Sequence, residues 1–128
     1  MTDRSAIQTV REFWRLMGTN DFDSVCSVLD EQFTLEWPQS RERICGPERF
    51  ARMNKEYESH GLWRFELRRI VATDTEVVTE VEVTDGVQNA RAISFFTLQE
   101  GKIVKLVEFW PEPYAAPVNR THLVEPIS

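Results

Sequence analysis

The stretch Gly101–Pro113, GKIVKLVEFWPEP, decides how the chain is read. It begins as an apolar strand, sets a carboxylate, Glu108, directly before Phe109 and Trp110, and stops at a Pro-Glu-Pro clamp. In a strand, side chains alternate between faces. Val104, Leu106, Glu108 and Trp110 therefore share one face, and Ile103, Lys105, Val107 and Phe109 share the other. Lys105 marks the second face as the wetter one, which turns Glu108 inward beside Leu106 and Trp110. A carboxyl so placed is desolvated, and desolvation raises its pKa toward the range of a general acid or base near neutral pH. The competing reading pairs Glu108 with an arginine such as Arg91, or makes this the outer face of the sheet.

Upstream of this strand the same period of two recurs. Trp63, Phe65 and Leu67 alternate with Arg64, Glu66 and Arg68, and Ile70 rejoins the apolar face only if Arg68-Arg69 forms a bulge. Glu76–Thr84 is a β-branched run, Asp85-Gly86 a turn, Ala90–Leu98 the next strand, and Glu100-Gly101 the turn into the last. The first sixty residues read differently. Ile7, Val10, Phe13, Trp14 and Met17 fall at helical spacing, and Gly18 ends that helix. Asn20 or Asp21 can cap a second short helix carrying Phe22, Val25, Cys26 and Leu29. Phe33, Leu35 and Trp37 then alternate as a strand stopped at Pro38, and Gln39–Gly46 reads as a charged loop. Pro47 opens a third helix with Phe50, Met53 and Tyr57 on its buried face, closed at His60-Gly61.

Helices followed by a long antiparallel meander predict an α+β domain, 1–128, with helices laid on the concave side of a curled, mixed sheet and an apolar cavity between them. The tail 113–128 contains Pro113, Pro117 and Pro126 and is expected to lie extended along the body, closing part of the cavity. A net charge of −6 argues against nucleic acid or anionic membrane as the main partner. No run approaches the roughly 20 apolar residues of a membrane span. The start MTDRSAIQTVREFW has no apolar signal core, and Cys26 and Cys45 read as free thiols, so a cytoplasmic location is expected. Neither cysteines nor histidines have metal-ligand spacing, and no phosphate loop, dinucleotide fingerprint or nucleophile triad is present, so no metal or cofactor is expected.

The order of elements, with NDFD, LEWP, GPERF and EGKIVKLVEFW at its junctions, resembles the nuclear transport factor 2-like superfamily over residues 5 to 112. More narrowly, it resembles the SnoaL-like, polyketide-cyclase-type branch. That resemblance implies a cone-like fold and a homodimer through the convex sheet face. It also implies a small hydrophobic, cyclic or polyketide-like ligand, either bound only or turned over by isomerisation, cyclisation, dehydration or hydrolysis; the alternative is a dimerising interaction module with a filled core. The chain departs from ketosteroid isomerase at Phe13, Trp37 and Ser94, where that enzyme needs a tyrosine, a base aspartate and a protonated aspartate. Limonene-epoxide hydrolase resembles it more at the end, with an acid at Glu108 and its Arg and Asp aligned with Glu80 and Glu82. Scytalone dehydratase uses paired histidines, for which only His60 and His122 are available.

Glu108 is thus the candidate catalytic residue, and Trp37, Tyr57, Glu80, Glu82, Trp110 and Tyr114 are the candidate ligand contacts. Three of these readings stay open. Val77, Thr79, Val81 and Val83 make a clean apolar face that sends Glu80 and Glu82 to solvent, whereas the family alignment turns them inward. Tyr57 is either a hydroxyl donor to ligand or a core ring, and Tyr114 either a lid or a cover over apolar surface. His60 is expected at a helix end, favoured by the dipole.

Overall fold

A computed structural model describes residues 5–127. Its strands form one sheet in the order β2-β1-β6-β5-β4-β3, antiparallel throughout except for the parallel pair β1 and β6. In chain order the elements are α1 (Ala6–Gly18), a 3₁₀ segment (Phe22–Val28), β1 (Leu29–Trp37), β2 (Glu42–Cys45) and α2 (Pro47–Glu56). They continue with β3 (Arg64–Ala72), β4 (Glu76–Thr84), β5 (Asn89–Gln99), β6 (Lys102–Phe109) and a second 3₁₀ segment (Val118–Leu123). The α+β expectation holds.

Helix α1 starts on a capping box: Ser5 Oγ accepts from the Gln8 amide at 3.2 Å, and Gln8 Oε1 accepts from the Ser5 amide at 3.0 Å. Its buried face is Ala6, Val10, Phe13, Trp14 and Met17, with Ile7 half-buried. The face docks on the sheet through Trp14 Nε1, which donates to the buried Thr79 Oγ1 at 3.2 Å. Phe13 lies at the centre, edge-on to Trp14 at 4.9 Å and to Phe96 at 5.2 Å between ring centroids.

Several expectations are corrected. The second helix is 3₁₀ rather than α, because its buried residues are Phe22, Val25 and Val28, three apart, which suits three residues per turn. Leu29 already belongs to β1. Asp21 makes no side-chain cap, and Asn20 clips Trp63 instead, its Oδ1 accepting from the Trp63 amide and its Nδ2 donating to the Trp63 carbonyl, both at 2.8 Å. The charged loop contains β2, an edge strand paired as Leu35 with Ile44 and Trp37 with Glu42. Only its backbone takes part in the ladder, so its residues stay mostly exposed and show no alternation to read. Helix α2 ends at Glu56, not at His60.

The expected bulge in β3 is present: Leu67 faces Val81 but Arg69 faces Glu80, leaving Arg68 as the extra residue and returning Ile70 to the Thr79 side. A second bulge was not expected. Thr97 faces Lys105 while Leu98 faces Ile103, so Val104 is skipped and Ile103, with 0% exposure, joins the core face instead. Beyond that bulge the alternation resumes and buries Leu106 and Glu108. Residues 111–127 are exposed throughout. No helix among the described residues is long and apolar enough to cross a membrane.

Candidate functional site

The two strands that run parallel, β1 and β6, end together at Trp37 and Phe109, and the chain beyond each is tied to the other: Gln39 Oε1 accepts from the Trp110 amide at 2.7 Å. Between this corner, α1, α2 and the β4–β5 turn lies a cavity of about 720 Å³. Phe13, Trp14, Phe50 and Phe65 line it on the core side, and Trp37, Trp63 and Trp110 toward its mouth.

Glu108 stands in its wall at 6% exposure. Its Oε1 accepts from Trp37 Nε1 at 3.2 Å and its Oε2 from Ser94 Oγ at 2.9 Å. Ser94 is the direct cross-strand partner of Glu108 on β5, so sheet register fixes this pair. Burial pushes the carboxyl above its ordinary range, and the donors from Trp37, Ser94 and Trp110 only partly oppose it. None of these donors carries a charge, so the site holds a desolvated acid that can store or release a proton.

The ion-pair alternative for Glu108 fails on the position of Arg91. That guanidinium lies across the sheet, 3.3 Å from Glu80 and 3.4 Å from Glu82. Glu80 also accepts from Arg69 at 2.6 Å and Glu82 from Arg68 at 2.7 Å, and these arginine hydrogen bonds hold both carboxyls below their usual range. Glu80 and Glu82 are therefore corrected: β4 turns Val77, Thr79, Val81 and Val83 toward the helices and both acids away from the cavity. Tyr114 is corrected as well. It is 81% exposed and outside the cavity, to whose rim the tail contributes only Glu112. Tyr57 does line the cavity, 58% exposed at the rim, its ring edge-on to Trp63 at 5.9 Å.

Two features of the surroundings were not legible in the sequence. Ser94 stood out in the sequence only as a departure from ketosteroid isomerase, and its role as a donor to Glu108 becomes readable only when its cross-strand partner is known. Asp85, read simply as a turn residue, has a fully buried side chain. Its carboxylate accepts from the His60 amide at 2.9 Å, the Val87 and Gln88 amides at 2.9 and 2.7 Å, and Gln88 Nε2 at 2.8 Å, with His60 Nδ1 3.2 Å away. Burial alone would raise its pKa, but the amides of His60, Gln88 and Val87 and the Gln88 side chain outweigh it and hold the group well below the carboxylate range. This cluster straps the segment after α2 to the β4–β5 turn and so fixes the cavity wall carrying Tyr57, Trp63 and Gln88. His60 has that role instead of a helix-end one. Among the described residues, no three of His, Cys, Asp and Glu gather as a metal site.

A SnoaL-like domain profile matches residues 10–106, most of the chain. The chain belongs to the SnoaL-like family. Among solved structures, this SnoaL-like chain is similar to a protein from Kribbella flavida DSM 17836 described as a ketosteroid isomerase, with a TM-score of 0.86, 28% identity and coverage of 94% of this chain and 87% of that one. It is also similar to an LEH-like epoxide hydrolase of M. tuberculosis, with a TM-score of 0.68, 23% identity and coverage of 83% and 82%. A protein from Jannaschia sp. CCS1 described as a SnoaL-like polyketide cyclase gives a TM-score of 0.66, 17% identity and coverage of 86% and 91%. The latter two likenesses are of fold. No curated protein matches the chain.

Proposed function

We propose that this SnoaL-like domain binds a small hydrophobic, cyclic or polyketide-like molecule in its aromatic cavity, and that Glu108 acts on it as general acid or base. Isomerisation, cyclisation, dehydration and hydrolysis all use such a group, and none requires a cofactor. The observation that carries the proposal is a carboxyl at 6% exposure in a cavity wall, partnered by the uncharged Trp37, Ser94 and Trp110. Trp37, Tyr57 and Trp110 are the proposed contacts to the ligand body. A second reading, binding without turnover, is favoured by one detail: both oxygens of Glu108 already accept hydrogen bonds, which suits an anchor as well as a base.

One experiment separates these readings. Cyclic enones, epoxides and β-hydroxyketones are assayed for turnover and for ligand-induced thermal stabilisation, with wild type beside Glu108→Gln. Catalysis predicts turnover falling by about 10² or more in the variant while binding survives. Binding without turnover in both proteins supports the carrier. A folded protein that none of the compounds stabilises rules out the cavity reading.

The outer sheet face supports a homodimer. Val71, Val78, Phe95 and Val107 are neighbours across β3, β4, β5 and β6, and Phe95 meets Phe109 edge-on at 6.0 Å. Val71 is 69% and Phe95 44% exposed, so the row is open to a second copy. Phe95→Lys is expected to shift sedimentation from dimer to monomer; a wild type already monomeric at micromolar concentration refutes it. Free Cys26 and Cys45 fit a cytoplasmic location, which fractionation of the native host checks.

A further inference from the structure

We propose that the ligand is an organic cation, an amine or quaternary ammonium borne on an apolar cyclic body. The inference rests on the cavity being the ligand site and concerns which charge that site accepts.

The chain has four tryptophans, and all of them, Trp14, Trp37, Trp63 and Trp110, line this one cavity. Indole faces carry the strongest ring quadrupole among side chains and attract cations held within about 6 Å of the ring centroid. The charged residues of the lining are all acids: Glu108 in the wall, Glu42 and Glu112 at the mouth. No Lys, Arg or His is among the described lining residues, although the chain carries fifteen Lys and Arg.

Several of the basic residues are engaged elsewhere. Arg68, Arg69 and Arg91 neutralise Glu80 and Glu82 on the opposite face of the sheet, and Arg43 and Lys105 both pair with Glu36. Among the described residues, none of the three cavity acids has an ion-pair partner. An anionic ligand entering here meets like charge in the lining, and a neutral one gains no charge attraction from Glu42 and Glu112 at the mouth. A cation gains from both the rings and the carboxylates, and supplies the counter-charge that Glu108 lacks. In a low-dielectric wall that attraction is far stronger than in water. A carboxyl that burial has pushed toward neutrality would then ionise on binding.

Three probes share one hydrocarbon cage and differ in charge: 1-adamantylammonium, 1-adamantanol and 1-adamantanecarboxylate. Each is titrated into the full chain at neutral pH and followed by tryptophan fluorescence, to which every indole of the cavity contributes. The ammonium is expected to bind about tenfold more tightly than the alcohol, and the carboxylate most weakly. In Glu108→Gln the gap between ammonium and alcohol should close. If that variant does not fold, Glu42→Gln/Glu112→Gln at the exposed mouth should narrow the gap and weaken the rejection of carboxylate. Alcohol or carboxylate binding as tightly as ammonium overturns this proposal and leaves the hydrophobic-ligand reading standing. A gap unchanged in the folded variants also overturns it. If the folded protein binds none of the three, both this proposal and the reading beneath it fail.

Discussion

Replacing Glu108 by Gln should make the protein more stable as pH rises, and the structure sets the shape of that gain. Gln keeps the size of Glu and can point Oε1 at Trp37 Nε1 and Nε2 at Ser94 Oγ, so both neighbours remain hydrogen-bonded. The loss is then confined to the charge. Burial raises the folded pKa of Glu108 above the unfolded value of about 4.3. Between those two values the native state holds a proton that the unfolded chain has released, so raising pH favours unfolding. Stability from this group is fully present below about pH 4.3, falls through the window, and is flat above the folded pKa. One proton limits the slope to about 1.4 kcal/mol per pH unit, roughly 4–7 °C in Tm for a domain of this size.

Glu80, Glu82 and Glu36 shift the other way. Their lowered values contribute stability above the unfolded pKa that is lost as pH falls, and they bend the acid limb of both proteins alike. The difference between wild type and variant therefore isolates Glu108. Urea unfolding of both, from pH 4 to 9, should give a difference near zero at the acid end that grows in favour of Gln and then levels. A variant less stable by a constant amount across that range would refute the reasoning, because it would mean that the native state compensates the ionised carboxylate fully.

Other outcomes follow from single contacts. Trp37→Phe removes one of the donors to Glu108 and should cost about 1–3 kcal/mol in urea unfolding, while moving the carboxyl titration, followed by infrared absorption, further upward. Asp85→Ala should strand the amides of His60, Val87 and Gln88, lower Tm by more than about 5 °C and speed amide exchange at residues 58–62. Gly61→Ala places a Cβ 2.9 Å from the Asp85 carbonyl oxygen, a backbone atom with little room to yield, and should destabilise by about 1–3 kcal/mol in the same assay. Phe50→Ala, at 3% exposure between Phe13 and Phe33, should cost about 3–5 kcal/mol by urea titration.

Strand and helix identities were written in local periodicity. The apolar face of α1, the alternation through β3 and β4, the bulge at Arg68 and the inward turn of Glu108 all follow from spacing and from the need to keep charge wet. The sequence also leaves Glu80 and Glu82 opposite a clean valine face, and that alternation was a better guide than alignment to a relative. Local pattern cannot say which residue stands across the sheet, because register is set by long-range pairing. Hence Ser94 as a donor to Glu108, the skipped Val104 and the edge strand Glu42–Cys45 became visible only in three dimensions. The same holds for Asp85 and His60, which lie 25 residues apart in sequence and meet only when the segment after α2 folds back on the β4–β5 turn. Composition fixed how many tryptophans and arginines the chain has. Only the tertiary structure gathered the tryptophans around one cavity and paired Arg68, Arg69 and Arg91 with Glu80 and Glu82 on the far side of the sheet.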